Sequence, residues 1–187
     1  MKVVELVIEN ENDGIEAISV VDRPAIEEDF IALSKDVQVE LKEVNQEKRI
    51  LMGGALIPDK LIYRKNGKDE FYIFFSADTV RKASELFFMS GNQNNATHQH
   101  EKEIKGMSVV ESWIVEDLEK DKSKHYGFDV PVGTWMISMK CNNDEVWNDV
   151  KAGKIKGFSI EGYFADKMEL AEEKELIDQI IKILENE

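Results

Sequence analysis

Residues 154–164 read KIKGFSIEGYF, a strand-like run with Ser159 at its centre and glycine at positions 157 and 162. Because glycine has no side chain, the backbone and a substrate can approach each other closely here. A serine on a strand is usually an ordinary solvent-facing residue. Ser159 therefore becomes a candidate nucleophile only if the remainder of the chain supplies a base and an acid that activate it.

The length and composition indicate a globular protein with a single core. A chain of 187 residues suits one domain, and its hydrophobic (42%) and charged (33%) fractions are those of soluble proteins. We expect this domain to span residues 1–168, followed over 169–187 by an amphipathic helix that packs on it or leads to a partner. No apolar run approaches the roughly 18 residues that span a bilayer, and the N-terminus lacks a signal-peptide pattern, so a cytosolic protein is expected.

Charge and cysteine content argue against several kinds of site. The net charge is −14, from 38 acidic and 24 basic residues, and the sequence has no basic stripe of the kind that binds nucleic acid. The single cysteine, Cys141, excludes an internal disulfide and a CxxC metal site. We expect neither a metal nor another cofactor.

The hydrophobic pattern predicts a mainly β protein with a few helices. The predicted strands are 2–8, 15–21, 37–44, 49–57, 71–75, 107–116, 134–140 and the stretch around Ser159. Ser76 and Asn143 are the predicted N-caps of two helices. The Gly53-Gly54 pair suggests a bulge or a close backbone crossing, which is common where a sheet curls into a barrel. The expected fold class is therefore α+β, with a curled antiparallel sheet or barrel and flanking helices.

One predicted strand carries a carboxylate. Alternation over 107–116 puts Glu111 on the same face as Val109, Trp113 and Val115, which is an apolar face. A carboxylate there needs a partner, because an unpaired buried charge is costly. The segment that follows, 117–133, is predicted to be a surface loop or flap.

The base for a nucleophilic serine is usually a histidine, and the chain has three. His125 lies among charged residues of the 117–133 segment, which leaves His98 and His100. These two could also ligate a metal, but two histidines two positions apart must share one face of a strand to chelate. From the residues alone, both can equally belong to a polar loop.

Five segments in a fixed order resemble a known family. They are THQHE (97–101), VVESWIVED (109–117), the stretch from Gly127 to the Gly133-Thr134-Trp135 strand, VWNDVKAG (146–153) and KGFSIEG (156–162). In this order the chain resembles the phage prohead (procapsid maturation) serine proteases, most closely the type encoded by Bacillus defective prophages. Because that family is related in fold to the herpesvirus assemblin proteases, the resemblance implies an assemblin-like fold.

The resemblance also implies the catalytic pair. It makes Ser159 the nucleophile and a histidine upstream of it the general base. The family's histidine directly precedes an acidic residue, which selects His100, followed by Glu101, with His98 as the fallback. His100 would take the proton of Ser159 and return it to the leaving amine.

Three carboxylates compete to be the acid that orients His100. Glu111 is the first choice, because its strand follows the candidate base closely. Glu16 would serve if a permuted arrangement brought the N-terminal strand beside the active strands. Glu161 shares a face with Ser159 at period two.

The implied function is a serine endopeptidase of phage procapsid maturation. Its expected substrates are scaffold and major capsid proteins, with its own chain as a further expected substrate, inside the assembling prohead in the bacterial cytoplasm. The sequence leaves open whether the protein also associates with itself. Two alternatives are a catalytically inactive assembly protein that binds scaffold on the same fold, and a metal-dependent hydrolase that uses His98, His100 and a carboxylate.

Overall fold

The computed structural model describes residues 2–10, 12–25, 31–33, 48–66 and 68–167. Its strands are β1 (Lys2–Val7), β2 (Gly14–Val21), β3 (Ile31–Leu33), β4 (Ile50–Leu56), β5 (Ile62–Asn66), β6 (Asp69–Phe75), β7 (Ala96–His98), β8 (Lys102–Glu103), β9 (Met107–Ile114), β10 (Trp135–Cys141), β11 (Gly157–Tyr163) and β12 (Ala165–Asp166). Its helices are α1 (Ala77–Met89), α2 (Lys122–His125) and α3 (Asp144–Lys151), with a 3-10 helix over Asn92–Asn94. None of the helices in these ranges is long and apolar enough to cross a bilayer. The predicted strand 37–44 and terminal helix 169–187 lie outside the described residues.

The strands form three four-stranded sheets, ordered β12-β1-β6-β5, β3-β4-β10-β9 and β11-β2-β7-β8. The α+β class is confirmed, but the closed barrel is not found, because no sheet closes on itself within the described ranges. The expected antiparallel pairing is found for most neighbouring strands. It does not hold for β1, which runs parallel to β6, or for β2, which runs parallel to β7. Parallel neighbours need a long crossover, and the chain between β2 and β7 supplies one by building other strands and α1 on the way.

Both predicted helix caps are confirmed. The Ser76 side chain accepts a hydrogen bond from the Thr79 backbone N–H at 3.4 Å, at the start of α1. The Asn143 side chain accepts one from the Val146 N–H at 3.0 Å, at the start of α3. These bonds satisfy backbone donors that the first helical turn leaves without a partner.

The predicted bulge at the glycine pair is also confirmed. In β4, Gly54 pairs with Met136 of β10, whereas Leu56 pairs with the preceding residue, Trp135. Ala55 is therefore an extra residue in the ladder.

A second bulge, in β9, overturns the expected position of Glu111. Val109 pairs with Met139 and Glu111 pairs with Ser138, so Val110 is the extra residue. Met139 and Ser138 are consecutive and point to opposite faces of the sheet, so Val109 and Glu111 do as well. The prediction that Glu111 shares an apolar face with Val109 is wrong, and its side chain is 43% exposed.

The segment 117–133 is not wholly a loop, because it contains α2. The Asp121 side chain caps this helix by accepting from the Ser123 backbone N–H at 2.8 Å. It also accepts from the Trp113 indole N–H at 3.0 Å, which ties α2 to β9. His125 is the last residue of α2, and its ring packs against Tyr126.

The sheet that contains the Ser159 stretch is anchored by its apolar face. Ile18 and Val20 of β2 are fully buried, and Phe158 of β11 is 1% exposed. Because side chains alternate along a strand, the residues between them point to the opposite face. That opposite face carries Ser19 and Ser159.

Candidate active site

Three adjacent strands bring polar side chains to one face of the sheet. Ser159 of β11 lies directly opposite Ser19 of β2, and Ser19 is the register partner of Thr97 in β7. Register partners in neighbouring strands project to the same face. Glu161, two residues after Ser159, shares that face as well. We call these four residues, together with His100, the polar cluster.

A histidine joins this cluster through its side chain. The His100 Nδ1 atom lies 3.0 Å from the Glu161 Oε1 atom. An ionised carboxylate can only accept, so in this contact Nδ1 is the donor. In a neutral imidazole this arrangement leaves the Nε2 lone pair available as a base. The Thr97 hydroxyl donates to the same Glu161 oxygen. Two donors therefore orient one carboxylate on the Ser159 face.

The backbone of His100 adopts a conformation that is uncommon for residues other than glycine. The turn after β7 has positive φ at Gln99 (54°) and at His100 (60°). Left-handed conformations cost about 1–2 kcal/mol per residue, so the surrounding contacts must hold the turn. Two bonds from β2 do so, because the Gln99 N–H donates to the Val20 carbonyl at 3.1 Å and the His100 N–H donates to the Ser19 hydroxyl at 3.0 Å.

His98 lies on the other face of the same sheet. It is the register partner of Val20 in β2 and of Lys102 in β8. Its side chain lines a small cavity of about 170 Å³ beside α3, together with Asn143 and Asp149. His98 and His100 therefore do not share a strand face, and within the described ranges no group of three potential ligands is close enough to hold a metal ion.

Glu111, the first-choice acid of the sequence, lies in a different sheet. Its Oε2 atom accepts from the Ser138 hydroxyl at 2.7 Å and from the Lys122 ammonium. The hydrogen bond from Lys122 is the largest effect that holds the pKa of the Glu111 carboxyl below its usual range. The structure thus brings Glu111 to Lys122 and does not bring it to His100.

Glu16 lies close to the polar cluster, but among the described residues its side chain makes no hydrogen bond to it. Ala17 pairs with Glu161 and Ile15 pairs with Gly162, so Glu16 is an extra residue in β2. Its exposed side chain lines a cleft next to Glu161. The carboxylate that contacts His100 is Glu161, the third candidate of the sequence.

Ser159 itself is buried, with 7% of its surface exposed. Among the described residues its hydroxyl makes no hydrogen bond, including none to His100. The two residues are linked through neighbours, because Ser19 faces Ser159 across the strands and accepts from the His100 N–H.

A close backbone approach occurs at Gly162, but it is between two strands and not between the backbone and a substrate. A Cβ atom at this position would lie 1.9 Å from the Gly14 carbonyl oxygen, so the two strands leave no room for any side chain. Gly162 therefore permits β11 and β2 to meet beside Glu161.

A cleft of about 850 Å³ opens beside Glu161 and Thr97. It runs along β2 and the end of α1, and its wall carries further carboxylates. These are Asp13, Glu16 and Glu103, with Lys105 as the cation among the lining residues. The cleft can receive a chain segment at one end of the polar cluster.

Ser19 and Thr97 are site residues that sequence reasoning did not identify. A weak signal exists for Ser19, because it interrupts an otherwise apolar strand between Ile18 and Val20. Thr97 carries no comparable signal, since its role depends on which strand lies next to β7.

The sequence matches known proteins over much of its length. Residues 36–169 match the model of a family described as "Putative phage serine protease XkdF". In Bacillus subtilis (strain 168), the "Phage-like element PBSX protein XkdF" is 26% identical over 159 residues, which cover 81% of this chain and 53% of that protein. The "Uncharacterized protein YqbD" of the same organism is 25% identical over 160 residues, which cover 81% of this chain and 45% of that protein. The chain thus spans about half the length of these curated relatives, and no solved structure matches it.

Proposed function

The chain belongs to the family described as "Putative phage serine protease XkdF", whose model matches more than half of its residues, and on this premise we propose that it is a serine endopeptidase. The membership confirms the resemblance to the Bacillus defective-prophage type. In the proposed site Ser159 is the nucleophile, His100 the general base and Glu161 the acid that orients the base.

The contact that supports this proposal most directly is the His100–Glu161 hydrogen bond on the face that carries Ser159. A serine on a strand has no special reactivity, but a serine that shares a sheet face with a carboxylate bonded to an imidazole has the parts of an acyl-transfer site. Glu161 replaces Glu111 in the proposal because it is the carboxylate in contact with the base.

In the proposed mechanism His100 Nε2 takes the Ser159 proton as the serine oxygen attacks the carbonyl carbon of the scissile peptide bond. The carbon–nitrogen bond then breaks, and the imidazolium gives its proton to the leaving amine. Water hydrolyses the resulting ester in a second step, with His100 again acting as the base. Glu161 stabilises the imidazolium in both steps.

Substrate binding has a part in this mechanism, since Ser159 and His100 are not hydrogen-bonded in the substrate-free protein. Catalytic hydrogen bonds are often long or misaligned before substrate binds and tighten in the complex. We propose that a polypeptide segment in the 850 Å³ cleft beside Glu161 completes the site.

The proposed biological role is the processing of scaffold and major capsid proteins, and of the enzyme's own chain, inside an assembling prohead in the host cytoplasm. The phage origin that the family's description names supports this role. The assemblin-like character of the fold is part of the same proposal, supported by the α+β class.

A serine-directed fluorophosphonate tests the activity without knowledge of the natural substrate. We expect the wild-type protein to be labelled at Ser159 and the Ser159→Ala variant to remain unlabelled. Ser138→Ala is the matched control, because Ser138 is also a buried strand serine and lies in another sheet. Co-expression with the scaffold protein gives a second readout, in which Ser159→Ala should lower processing by on the order of a millionfold. Undiminished processing by that variant would overturn the assignment.

One observation favours the alternative of a catalytically inactive assembly protein on the same fold. Ser159 is buried, and its hydroxyl makes no hydrogen bond to any described residue. The same probe separates the two functions, because a binding-only protein would not be labelled at Ser159.

A further inference from the structure

Ser19 is a buried hydroxyl in the middle of the polar cluster. It is 0% exposed, and its strand lies between β11 and β7, with Ser159 and Thr97 as its register partners. The match to the family model begins at residue 36, so β2 lies outside the matched region. The family model therefore does not reach Ser19.

Both hydrogen bonds of the Ser19 hydroxyl go to residues of the polar cluster. It accepts a hydrogen bond from the His100 backbone N–H at 3.0 Å and donates to the Thr97 carbonyl at 3.5 Å. Buried polar groups need such partners, and an apolar residue would be the simpler choice at a fully buried position. The contact thus links the centre of β2 to the backbone of the proposed base.

The direction of the His100 side chain depends on this contact. His100 has φ of 60°, and the torsion angles of the backbone determine where its Cβ atom points. The Ser19 hydroxyl and the Val20 carbonyl are consecutive acceptors on β2 that fix consecutive N–H groups of the turn. Without the first of them, β2 holds the turn only through the bond from the Gln99 N–H to the Val20 carbonyl, beside the turn's own bond from the Glu101 N–H to the His98 carbonyl at 3.0 Å.

From these contacts we infer that Ser19 is a positioning residue, whose hydroxyl holds the turn so that the His100 imidazole reaches Glu161 on the Ser159 face. The inference rests on the proposed function, which it deepens by adding a residue from the N-terminal strand to the site. Ser19 acts through His100 and does not contact substrate, because its side chain has no exposed surface.

The experiment compares the wild-type protein with Ser19→Ala, Ser19→Thr and Ser138→Ala. Ser19→Ala removes one oxygen atom, whereas Ser19→Thr keeps the hydroxyl. Ser138→Ala makes the same chemical change at a serine that is 2% exposed and bonded to Glu111. The first readout is the rate of fluorophosphonate labelling at Ser159. The second is hydrogen exchange of the His100 backbone amide, followed by NMR.

We expect Ser19→Ala to slow labelling by about 10- to 100-fold, since displacements near 1 Å in a catalytic group have effects of that size. Exchange of the His100 amide should accelerate at least about tenfold, because its acceptor is gone. Ser138→Ala should match the wild-type protein in both readouts, and Ser19→Thr should recover most of the labelling rate.

Each contrary outcome has a distinct meaning. If the exchange rate of the His100 amide is unchanged in Ser19→Ala, the hydrogen bond from this amide to Ser19 is not significant in solution and the inference is wrong. If exchange is faster but the labelling rate at Ser159 is unchanged, Ser19 is not a positioning residue. Equal slowing in Ser19→Ala and Ser138→Ala would also overturn it, since the effect would then be a general loss of packing. A wild-type protein that is not labelled would overturn the proposed function itself, while amide exchange would still decide whether Ser19 holds the turn.

Discussion

The Nδ1 atom of His100 lies 3.0 Å from the Oε1 atom of Glu161, although the two residues are 61 positions apart in the sequence. The Thr97 hydroxyl donates to the same carboxylate oxygen, so Glu161 is held by two donors from the β7 side of the sheet. Such an arrangement fixes both the tautomer and the direction of an imidazole.

Replacing Glu161 with glutamine should reduce peptide cleavage about a thousandfold to ten-thousandfold. The amide is close in shape but can present its NH₂ group to Nδ1, which favours the tautomer that cannot act as a base. The measurement is kcat/KM on a cleaved peptide, or the labelling rate at Ser159. Glu111→Gln is the matched control and should leave activity near wild type, because Glu111 is bonded to Lys122 and Ser138. A larger loss from Glu111→Gln would restore that residue as the acid.

The two neighbouring histidines offer a matched pair of substitutions. His100→Gln should abolish labelling and cleavage, because it removes the proposed base. His98→Gln should retain most of the activity, since His98 lies on the other face of the sheet beside α3. Both variants are compared by labelling rate after their folding has been checked by circular dichroism. The reverse pattern would make His98 the base.

A charge reversal in the cleft tests whether substrate lies there. Glu103 lines the cleft and is the register partner of Thr97, so it lies near the polar cluster on an exposed strand end. Glu103→Lys should raise KM for peptide substrates, with little change in kcat, if the cleft binds the chain without taking part in the chemistry. Glu119→Lys, at an exposed position outside the lining of the cleft, is the control. An unchanged KM in Glu103→Lys would mean that the substrate does not bind in this cleft.

Gly162→Ala should destabilise the fold more than Gly153→Ala. The added methyl group would lie 1.9 Å from the Gly14 carbonyl oxygen, so β11 and β2 would have to separate. Overpacking of this kind typically costs about 1–3 kcal/mol and sometimes more. At Gly153 the φ of 68° penalises alanine, but the space around it is open. Urea unfolding measures the free energy of unfolding of each variant. If Gly162→Ala and Gly153→Ala lose the same amount of stability, β11 and β2 can move apart at little cost.

The Glu111–Lys122 contact should give the protein a small pH-dependent stability. Because the folded-state pKa of Glu111 is lowered, its contribution is fully present above the unfolded pKa of roughly 4.3 and is lost as pH falls through the folded value. The side chains are partly exposed, so we expect less than about 1 kcal/mol at neutral pH. The measurement is urea unfolding of wild type and Glu111→Gln at about pH 7 and about pH 3. A difference between the two proteins that grows towards low pH would contradict the sign.

Local patterns predicted several of the elements that position the site, but not β7, the strand that carries Thr97 and leads into the turn at His100. Alternation located the strands that carry Glu111 and Ser159, and side-chain capping located the helices that begin after Ser76 and Asn143. These features depend on residues close together in the chain, and for that reason a single sequence contains them.

Contacts between distant segments could not be predicted in the same way. The bulge at Val110 turns the Glu111 side chain to the opposite face of the sheet, and no residue type in the sequence predicts a bulge at this position. The left-handed turn at His100 is formed by two residues that usually avoid that conformation, and it is held by acceptors on β2. The preference for Glu111 over Glu161 arose from sequence proximity, whereas the contact with His100 arises from the parallel pairing of β2 and β7.

The position of β2 at the centre of its sheet has a consequence for the order of assembly. Its two neighbours, β7 and β11, are both made much later than β2 during synthesis. Pairings between distant segments form slowly, because a long loop must close before they are stabilised. The serine, the histidine and the carboxylate therefore meet only after the ribosome has released β11. Under the proposed function, a partly made chain that still lacks β11 would therefore have neither Ser159 nor Glu161 beside the turn that carries His100.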